Sequence, residues 1–250
     1  MLTNADSLPN KMIELRDRLK TTKRQPDIIA ITEVKPKNSR YTLSQVDYKL
    51  DGYDAISCNL DCDVGRGLLI YAKTELNALS YDIDVDFSEH SFIQIRVLNN
   101  QMLTIGCVYR SPHSADSNNE KLNNMIHKLD NVRSPYKILI GDFNYGKINW
   151  ESGTATTPSE AAFVNSLKDV YMTQHVSEPT RGRDGQQPSI LDLIISNDPD
   201  IVSNIIYESP LGRSDHACVL FDINCSTINK HQNKKIYLYD KGDYTSMAAD

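Results

Sequence analysis

Short apolar segments that end abruptly in polar residues are the feature that most constrains the fold of this chain. Residues 137–140 run into Asp142, and residues 217–223 run away from Asp215 and His216. Apolar runs of this length are typical of strands that are buried on both faces of a sheet. The ends of such strands hold reactive groups on rigid backbone. We therefore expect a functional site where these strand ends meet.

Further segments predict that the chain consists mainly of strands. The candidate strands are, in chain order, residues 27–32, 68–72, 92–97, 103–108, 138–140, 190–195 and 219–223. Apolar residues at helical spacing predict helices over 8–23, 120–132 and 161–171. Ser7 is the expected cap of the first helix, and the Thr157-Pro-Ser-Glu160 capping box opens the third. Many strands with few helices indicate two sheets packed on each other and flanked by helices.

The segment 81–87 alternates polar and apolar residues. Its three aspartates share one strand face, where they would form either a ladder of metal ligands or a solvated surface: Asp82, Asp84 and Asp86. Charged side chains commonly protect the exposed edge of a sheet. We therefore predict a solvated edge strand here.

Composition limits the class of protein. The chain has 250 residues, of which 40% are apolar, which fits one large domain. A net charge of −6 argues mildly against permanent residence on nucleic acid. The odd count of five cysteines predicts reduced thiols, and neither a signal peptide nor an apolar run of about 18 residues is present. We expect an intracellular, soluble protein with no membrane contact, whose polar segment 226–250 is a connector.

The order of polar residues at the strand ends resembles that of the endonuclease/exonuclease/phosphatase superfamily, from about Asn4 to Ile223. The residues that carry the resemblance are Asn4, Asp6, Glu33, Tyr109, Asp142, Asn144, Asp192, Asp215 and His216. Each type of residue is common at strand ends, but coincidence does not readily explain the whole ordered set. The resemblance implies a DNase-I-like fold, a four-layered α/β sandwich of two mainly antiparallel sheets flanked by helices.

Details of the sequence are most similar to the endonuclease domain of non-LTR (LINE-type) retrotransposon polyproteins. They include the Val108-Tyr-Arg-Ser-Pro segment, the Pro179-Thr-Arg segment and the Pro210-Leu-Gly-Arg-Ser-Asp-His segment. This resemblance implies a nuclease that nicks duplex DNA and leaves a 3′-hydroxyl primer. The connector 226–250 would then lead to a reverse transcriptase, and the protein would act as a monomer in the nucleus.

The resemblance also implies a divalent metal ion. Asp6 and Glu33, with help from Asp215, would bind Mg²⁺, with Mn²⁺ as the alternative ion. Asn4 would orient these carboxylates. The sequence therefore predicts a metal site made of oxygen ligands.

The remaining site residues would handle water and phosphate. His216, hydrogen-bonded to Asp192, would form a dyad, and Asp142 would orient or deprotonate the attacking water. Asn144 and Tyr109 would donate hydrogen bonds to phosphate oxygens, with Arg110 in a supporting role. The sequence leaves open whether Asp142 or His216 is the general base.

Contacts with DNA are predicted for Arg181, Arg183 and Lys35. The two arginines belong to the glycine-containing loop 180–188, which is either a mobile hairpin turn or a hairpin that meets phosphates or a minor groove. Lys35 closes the Ile31-Thr-Glu-Val-Lys35 segment.

Two alternatives to the nuclease follow from the same residues. One is a phosphatase or phosphodiesterase that acts on a small molecule or lipid, and the other is an inactive retrotransposon remnant. Only Met1 to Thr3 correspond to the superfamily's first core strand. Because a missing central strand leaves backbone groups unpaired, we expect marginal stability, which a thermal melt against a chain with a longer first strand would test.

Overall fold

The computed structural model describes residues 1–37, 42–62, 65–183, 185 and 187–226. The predicted connector 226–250 lies outside these ranges except for Ser226, and so do two positions of the loop 180–188. The α-helices of the described ranges are α1 Met12–Thr21, α2 Asp116–Asp130 and α3 Pro158–Asp169. The strands there are β1 Leu2–Asn4, β2 Ile28–Thr32, β3 Tyr53–Cys58, β4 Leu68–Lys73, β5 Leu79–Tyr81, β6 His90–Arg96, β7 Met102–Tyr109, β8 Tyr136–Asp142, β9 Thr173–Gln174, β10 Asp192–Ser196, β11 Val202–Glu208 and β12 Cys218–Ile223.

The strands form two sheets of six. The first sheet has the order β11-β12-β1-β2-β4-β3, and the second has the order β5-β6-β7-β8-β10-β9. The pairs β1–β2 and β7–β8 are parallel, and the other pairs are antiparallel. The prediction of two mainly antiparallel sheets is confirmed.

Four layers result from the alternation of side chains along the central strands. Ala30 and Ile70 face the core between the sheets, while Ile29 and Ile31 face α1 on the outer side of the first sheet. In the second sheet, Leu139 and its neighbours pack against α2 and α3. Because successive strand residues point to opposite faces, a continuously apolar strand can fill two cores at once. The predicted α/β sandwich with outer helices is confirmed.

The first strand is short but central. Leu2 is fully buried and pairs with Ala30 of β2 and Val219 of β12. The pairing with β2 continues to Asn4, which lies opposite Thr32. The segment expected to be a strand remnant is therefore a strand that joins two halves of the first sheet.

Three local expectations were wrong. The side chain of Ser7 caps no helix, because a 3₁₀ turn at Pro9–Lys11 precedes α1 and the backbone of Ser7 has a positive φ of 79°. The segment 81–87 is not a strand beyond Tyr81, because Ile83 and Phe87 leave the sheet and pack into the core under α2. Helix α2 begins at Asp116, four residues before the predicted start.

All five cysteines are free thiols. Across the described ranges, no helix combines the length and apolar character needed to cross a membrane, and the longest, α2, has 15 residues.

Candidate active site

Strand ends from both sheets meet at one edge of the sandwich. Asp142 ends β8, and its cross-strand partners are Tyr109 at the end of β7 and Asp192 at the start of β10. Asn4 ends β1 in the first sheet, and its side-chain amide donates a 2.8 Å hydrogen bond to Oδ2 of Asp142. His216 lies two residues before β12. The predicted residues Asn4, Tyr109, Asp142, Asp192 and His216 therefore lie at the same edge.

Gly141 allows β8 to deliver Asp142 to this edge. Its φ is 150°, and a Cβ atom built there would lie 1.9 Å from the carbonyl oxygen of Val108 on β7. Only glycine permits so close an approach of two strands. The Gly-Asp dipeptide of the sequence is thus explained by the packing of β7 against β8.

Asp142 is fully buried in a set of directed hydrogen bonds. Besides the amide of Asn4, its Oδ1 accepts a 3.2 Å hydrogen bond from the backbone N–H of Asn144. Burial raises the pKa of Asp142 to about 7, because the effect of burial and of nearby Asp192 exceeds the lowering effect of His216 and of the Asn4 hydrogen bond. A carboxyl group with this pKa can exchange a proton near neutral pH.

The predicted hydrogen bond between His216 and Asp192 is present. Nδ1 of His216 lies 2.7 Å from Oδ2 of Asp192, and both side chains are buried. Burial by itself lowers the pKa of His216, but the carboxylates of Asp192, Asp142 and Asp215 outweigh it and raise the pKa to about 9. Oδ1 of Asp192 is buried without a hydrogen-bond partner in the described part of the chain.

The carboxylates of Asp6 and Glu33 converge on a single guanidinium group. Arg66 lies 2.7 Å from Oδ1 of Asp6 and 2.7 Å from Oε2 of Glu33. The hydroxyl of Tyr109 donates to the other oxygen of Glu33 over 2.9 Å. Asn4 orients the backbone at Asp6, since Oδ1 of Asn4 accepts a 3.0 Å hydrogen bond from the backbone N–H of Asp6. Tyr109 therefore contacts a predicted metal ligand.

Asp215 does not join Asp6 and Glu33 in one compact group. Its Oδ2 lies 2.7 Å from Nε of Arg181 and 2.6 Å from Nε of Arg183. Burial alone would raise the pKa of Asp215, but the Arg181 hydrogen bond, His216 and the two arginine charges lower it. The two arginines hold this carboxylate at the hairpin, and its part in a metal site with Asp6 and Glu33 stays a prediction.

Two donor sets remain for a metal ion. Within the described ranges, the compact group with ligand atoms inside 4.8 Å of one another is Asp142, Asp192 and His216. A protonated imidazole has no free lone pair, and the three nearby carboxylates favour the protonated form because they raise the pKa of His216. Asp6 and Glu33 offer only oxygen atoms and already attract one cation, which is the chemistry that Mg²⁺ or Mn²⁺ requires. The residues present therefore fit a divalent ion best at this carboxylate pair.

The predicted DNA contacts have different surroundings. Arg181 and Ser189 exchange backbone hydrogen bonds, as the two arms of a hairpin do, and both arginines of the loop lie against Asp215. Lys35 is 3% exposed and its ammonium group donates a 2.6 Å hydrogen bond to the carbonyl of Cys62. Little of this side chain is exposed to solvent, and its role as a DNA contact stays a prediction.

Arg110 is buried and holds Asn144 and its neighbours in place. Its guanidinium donates to Oδ1 of Asn119 over 2.7 Å and to the carbonyl of Asn144 over 3.1 Å, and it stacks 4.0 Å from the ring centre of Tyr145. In return, the amide of Asn144 donates to the carbonyl of Arg110 over 2.9 Å. Asn144 has a positive φ of 53°, so these contacts hold it in a conformation that costs free energy.

Three residues that organise the site were not predicted from the sequence. Thr180 is buried, and its hydroxyl accepts hydrogen bonds from the backbone N–H groups of Leu191 and Asp192. The hydroxyl of Ser214 donates to the carbonyl of Asn4 over 2.7 Å. This hydrogen bond connects the segment before β12, which carries His216, to the end of β1. Arg66 is the third. A signal existed for each, because Thr180 and Ser214 lie inside quoted motifs and Arg66 stands between two glycines.

Comparisons with known proteins agree with this architecture. Residues 103–220 match the protein family described as endonuclease-reverse transcriptase. No curated protein sequence matches the chain.

Solved structures with the same fold cover nearly the whole described chain. The endonuclease domain of TRAS1, a telomere-specific non-LTR retrotransposon, is 17% identical with a TM-score of 0.63, over 89% of this chain and 97% of that one. An AP endonuclease from Leishmania major is 13% identical with a TM-score of 0.66, over 89% and 87%. A 3′ phosphatase from Neisseria bound to a product DNA hairpin is 13% identical with a TM-score of 0.64, over 89% and 98%.

The sequence match and the fold agree with the order of polar residues at the strand ends. On these grounds, the chain has the fold of the endonuclease/exonuclease/phosphatase proteins, and its residues 103–220 are similar to the endonuclease-reverse transcriptase family.

Proposed function

We propose that this protein is a metal-dependent DNA endonuclease of the retrotransposon type. The observation that carries the proposal is the juxtaposition at one edge of a buried Asp142–His216–Asp192 group and the carboxylate pair of Asp6 and Glu33. Residues at such an edge can bind a phosphodiester, deprotonate the attacking water and stabilise the negative charge that develops on the phosphoryl oxygens.

The proton chemistry follows from the two raised pKa values. Asp142, with a pKa of about 7, can accept a proton from the attacking water near neutral pH. His216, with a pKa of about 9, stays protonated there and places a positive charge beside the phosphoryl oxygens. Asp192 holds Nδ1, so Nε2 of His216 is the atom available to substrate. Because the pKa of Asp142 is lower than that of His216, Asp142 is favoured as the base and His216 as the cationic partner.

Asp6 and Glu33 would hold Mg²⁺, with Mn²⁺ as the alternative ion. When bound, such an ion polarises the phosphate and neutralises part of its charge. Tyr109 fixes one oxygen of Glu33, and Asn4 fixes the backbone of Asp6 as well as the carboxylate of Asp142. Asn4 therefore couples the metal side of the site to the water-activating side.

The proposed substrate is duplex DNA. Arg181 and Arg183 lie on a hairpin that adjoins Asp215, one residue from His216. Two of the similar structures support a DNA substrate, since one comes from a retrotransposon endonuclease and another contains a DNA hairpin. The match to the endonuclease-reverse transcriptase family supports a nick whose 3′-hydroxyl primes a reverse transcriptase.

Nicking of supercoiled plasmid tests this function. We expect relaxed circles with Mg²⁺ and none with EDTA. Asp142→Ala and His216→Ala should each reduce nicking at least about a hundredfold, as loss of a general acid–base group usually does. Thr173→Ala, in the edge strand β9 at the far end of the second sheet, serves as a matched surface control that should retain full activity.

Duplex binding separates the nuclease from the phosphatase and the inactive remnant. A DNA endonuclease should bind duplex DNA with an affinity that falls steeply with salt, because phosphate contacts release counterions. A folded protein that neither binds nor nicks DNA, yet hydrolyses a small phosphate ester, would identify the phosphatase. A folded protein with none of these properties would identify the remnant.

A further inference from the structure

Arg66 lies where the proposed metal ion would have to bind. One arm of its guanidinium contacts Asp6 and the other contacts Glu33, each over 2.7 Å. The Arg66 side chain is only 17% exposed, and that of Glu33 is 13% exposed. Charge-assisted hydrogen bonds of this kind are stronger when water is largely excluded. The guanidinium of Arg66 therefore neutralises part of the negative charge of Asp6 and Glu33.

The surrounding loop is shaped to place this side chain. Nε of Arg66 donates to the carbonyl of Lys35 over 3.0 Å, and its backbone N–H donates to Glu89 over 3.2 Å. Gly65 and Gly67 flank it with positive φ angles, and a Cβ atom on Gly65 would lie 2.3 Å from Glu89. The Gly-Arg-Gly sequence thus brings Arg66 to the site edge from the loop between β3 and β4.

Both oxygens of Glu33 are already engaged. Oε1 accepts from Tyr109 and Oε2 from Arg66. A divalent ion that used the same carboxylates would lie beside a fixed positive charge, which repels it. Ion binding and the Arg66 contacts therefore oppose each other.

We propose that Arg66 occupies the carboxylate pair in the metal-free protein and competes directly with the divalent ion, so that metal binding displaces its guanidinium. This inference rests on the proposed metal site at Asp6 and Glu33. In the metal-free state Arg66 suppresses repulsion between the two carboxylates, and after exchange its charge is released at the edge where a phosphodiester would lie. Arg66 thus controls metal entry through its contacts with the two carboxylates.

Binding of Mn²⁺ to the whole protein, measured by electron paramagnetic resonance, tests the competition without any substrate. Arg66→Ala should bind Mn²⁺ about tenfold more tightly than the wild type, the change expected for one charge-assisted hydrogen-bonded pair. Arg66→Lys keeps the charge but cannot bridge two carboxylates, so its affinity should lie between the two. Arg24→Ala is the matched control, because this arginine pairs with Asp222 near the opposite end of β2 and should leave Mn²⁺ affinity unchanged.

Thermal melts give an independent second measurement. Without metal, Arg66→Ala should melt at a lower temperature than the wild type, and saturating Mn²⁺ should remove most of that gap. A gap of the same size with and without Mn²⁺ would show a merely structural arginine and overturn the inference. Equal or weaker Mn²⁺ binding by folded Arg66→Ala would also overturn it, while leaving the metal site standing. Absence of Mn²⁺ binding in both proteins would overturn the metal site and the inference together.

Discussion

His216 and Asp192 form a buried pair in which Nδ1 of the imidazole lies 2.7 Å from Oδ2 of the carboxylate. Asp192 is the foremost of three carboxylates that raise the pKa of His216 to about 9. If Asp142 is the base and His216 the cation, nicking should rise with pH through about 7 and fall through about 9. Asp192→Asn should move the falling limb to lower pH. If the falling limb of the pH profile is unchanged in Asp192→Asn, the loss of nicking at high pH does not come from His216.

Stability of the metal-free protein should depend on the same imidazole. The pKa of His216 is raised above the unfolded value of 6.5. The protonated imidazole therefore stabilises the folded state fully below pH 6.5, and this stabilisation is lost as pH rises through about 9. The loss is about 2–3 kcal/mol in the free energy of unfolding. Urea denaturation in EDTA at about pH 6 and about pH 9 should show this difference, and it should shrink in His216→Gln.

Gly141→Ala should destabilise the protein by about 3 kcal/mol or more, the size typical of overpacking and strained backbone. The added Cβ would meet the Val108 carbonyl at 1.9 Å, so β7 and β8 would have to separate. Gly146→Ala is the matched control, because its Cβ would meet only Leu191 at 3.4 Å. Chemical denaturation of both variants checks the prediction, and equal stabilities would contradict it.

Arg110→Ala should reduce activity and stability together. It removes the stack on Tyr145 and leaves the buried Asn119 amide without its guanidinium partner, a loss of about 2–4 kcal/mol. Arg133→Ala, at an exposed position after α2, should change neither property. Denaturation curves and plasmid nicking measure the two effects; full activity in Arg110→Ala would show that Asn144 keeps its place without this arginine.

Asp215→Asn should increase affinity for duplex DNA in EDTA. The carboxylate engages both Arg181 and Arg183, and its neutralisation frees two cations for phosphates. Fluorescence anisotropy at several salt concentrations should therefore show tighter binding and a steeper salt slope. The double variant Arg181→Ala and Arg183→Ala should bind more weakly with a shallower slope; a slope equal to that of the wild type would exclude the hairpin from the DNA contact.

The central strands could be predicted from sequence because they are buried on both faces. Strands β2, β4, β6, β7, β8, β10 and β12 all appear as apolar runs, within a residue or two of their observed bounds. The strands that were missed, β3, β5, β9 and β11, are the four edges of the two sheets. Edge strands are half exposed, so their composition does not separate them from loops.

The site was predictable as a set of residues but not as a set of contacts. The His216–Asp192 hydrogen bond followed from the resemblance, whereas the partners of Glu33 and Asp215 did not. Arg66 and Glu33 come from different loops, and Arg181 and Asp215 are 34 residues apart. Local sequence carries no information about such pairs, because the topology of the fold brings them together.

The central position of β1 has a consequence for biosynthesis. Asn4 is anchored by Ser214, 210 residues further along the chain, and Leu2 pairs with Val219. The first sheet is therefore not closed until β12 has left the ribosome. Because Asn4, Asp142 and His216 come together only at that closure, a nascent or prematurely terminated chain has no assembled active site. The topology itself therefore leaves incomplete copies of this protein without the proposed nuclease site.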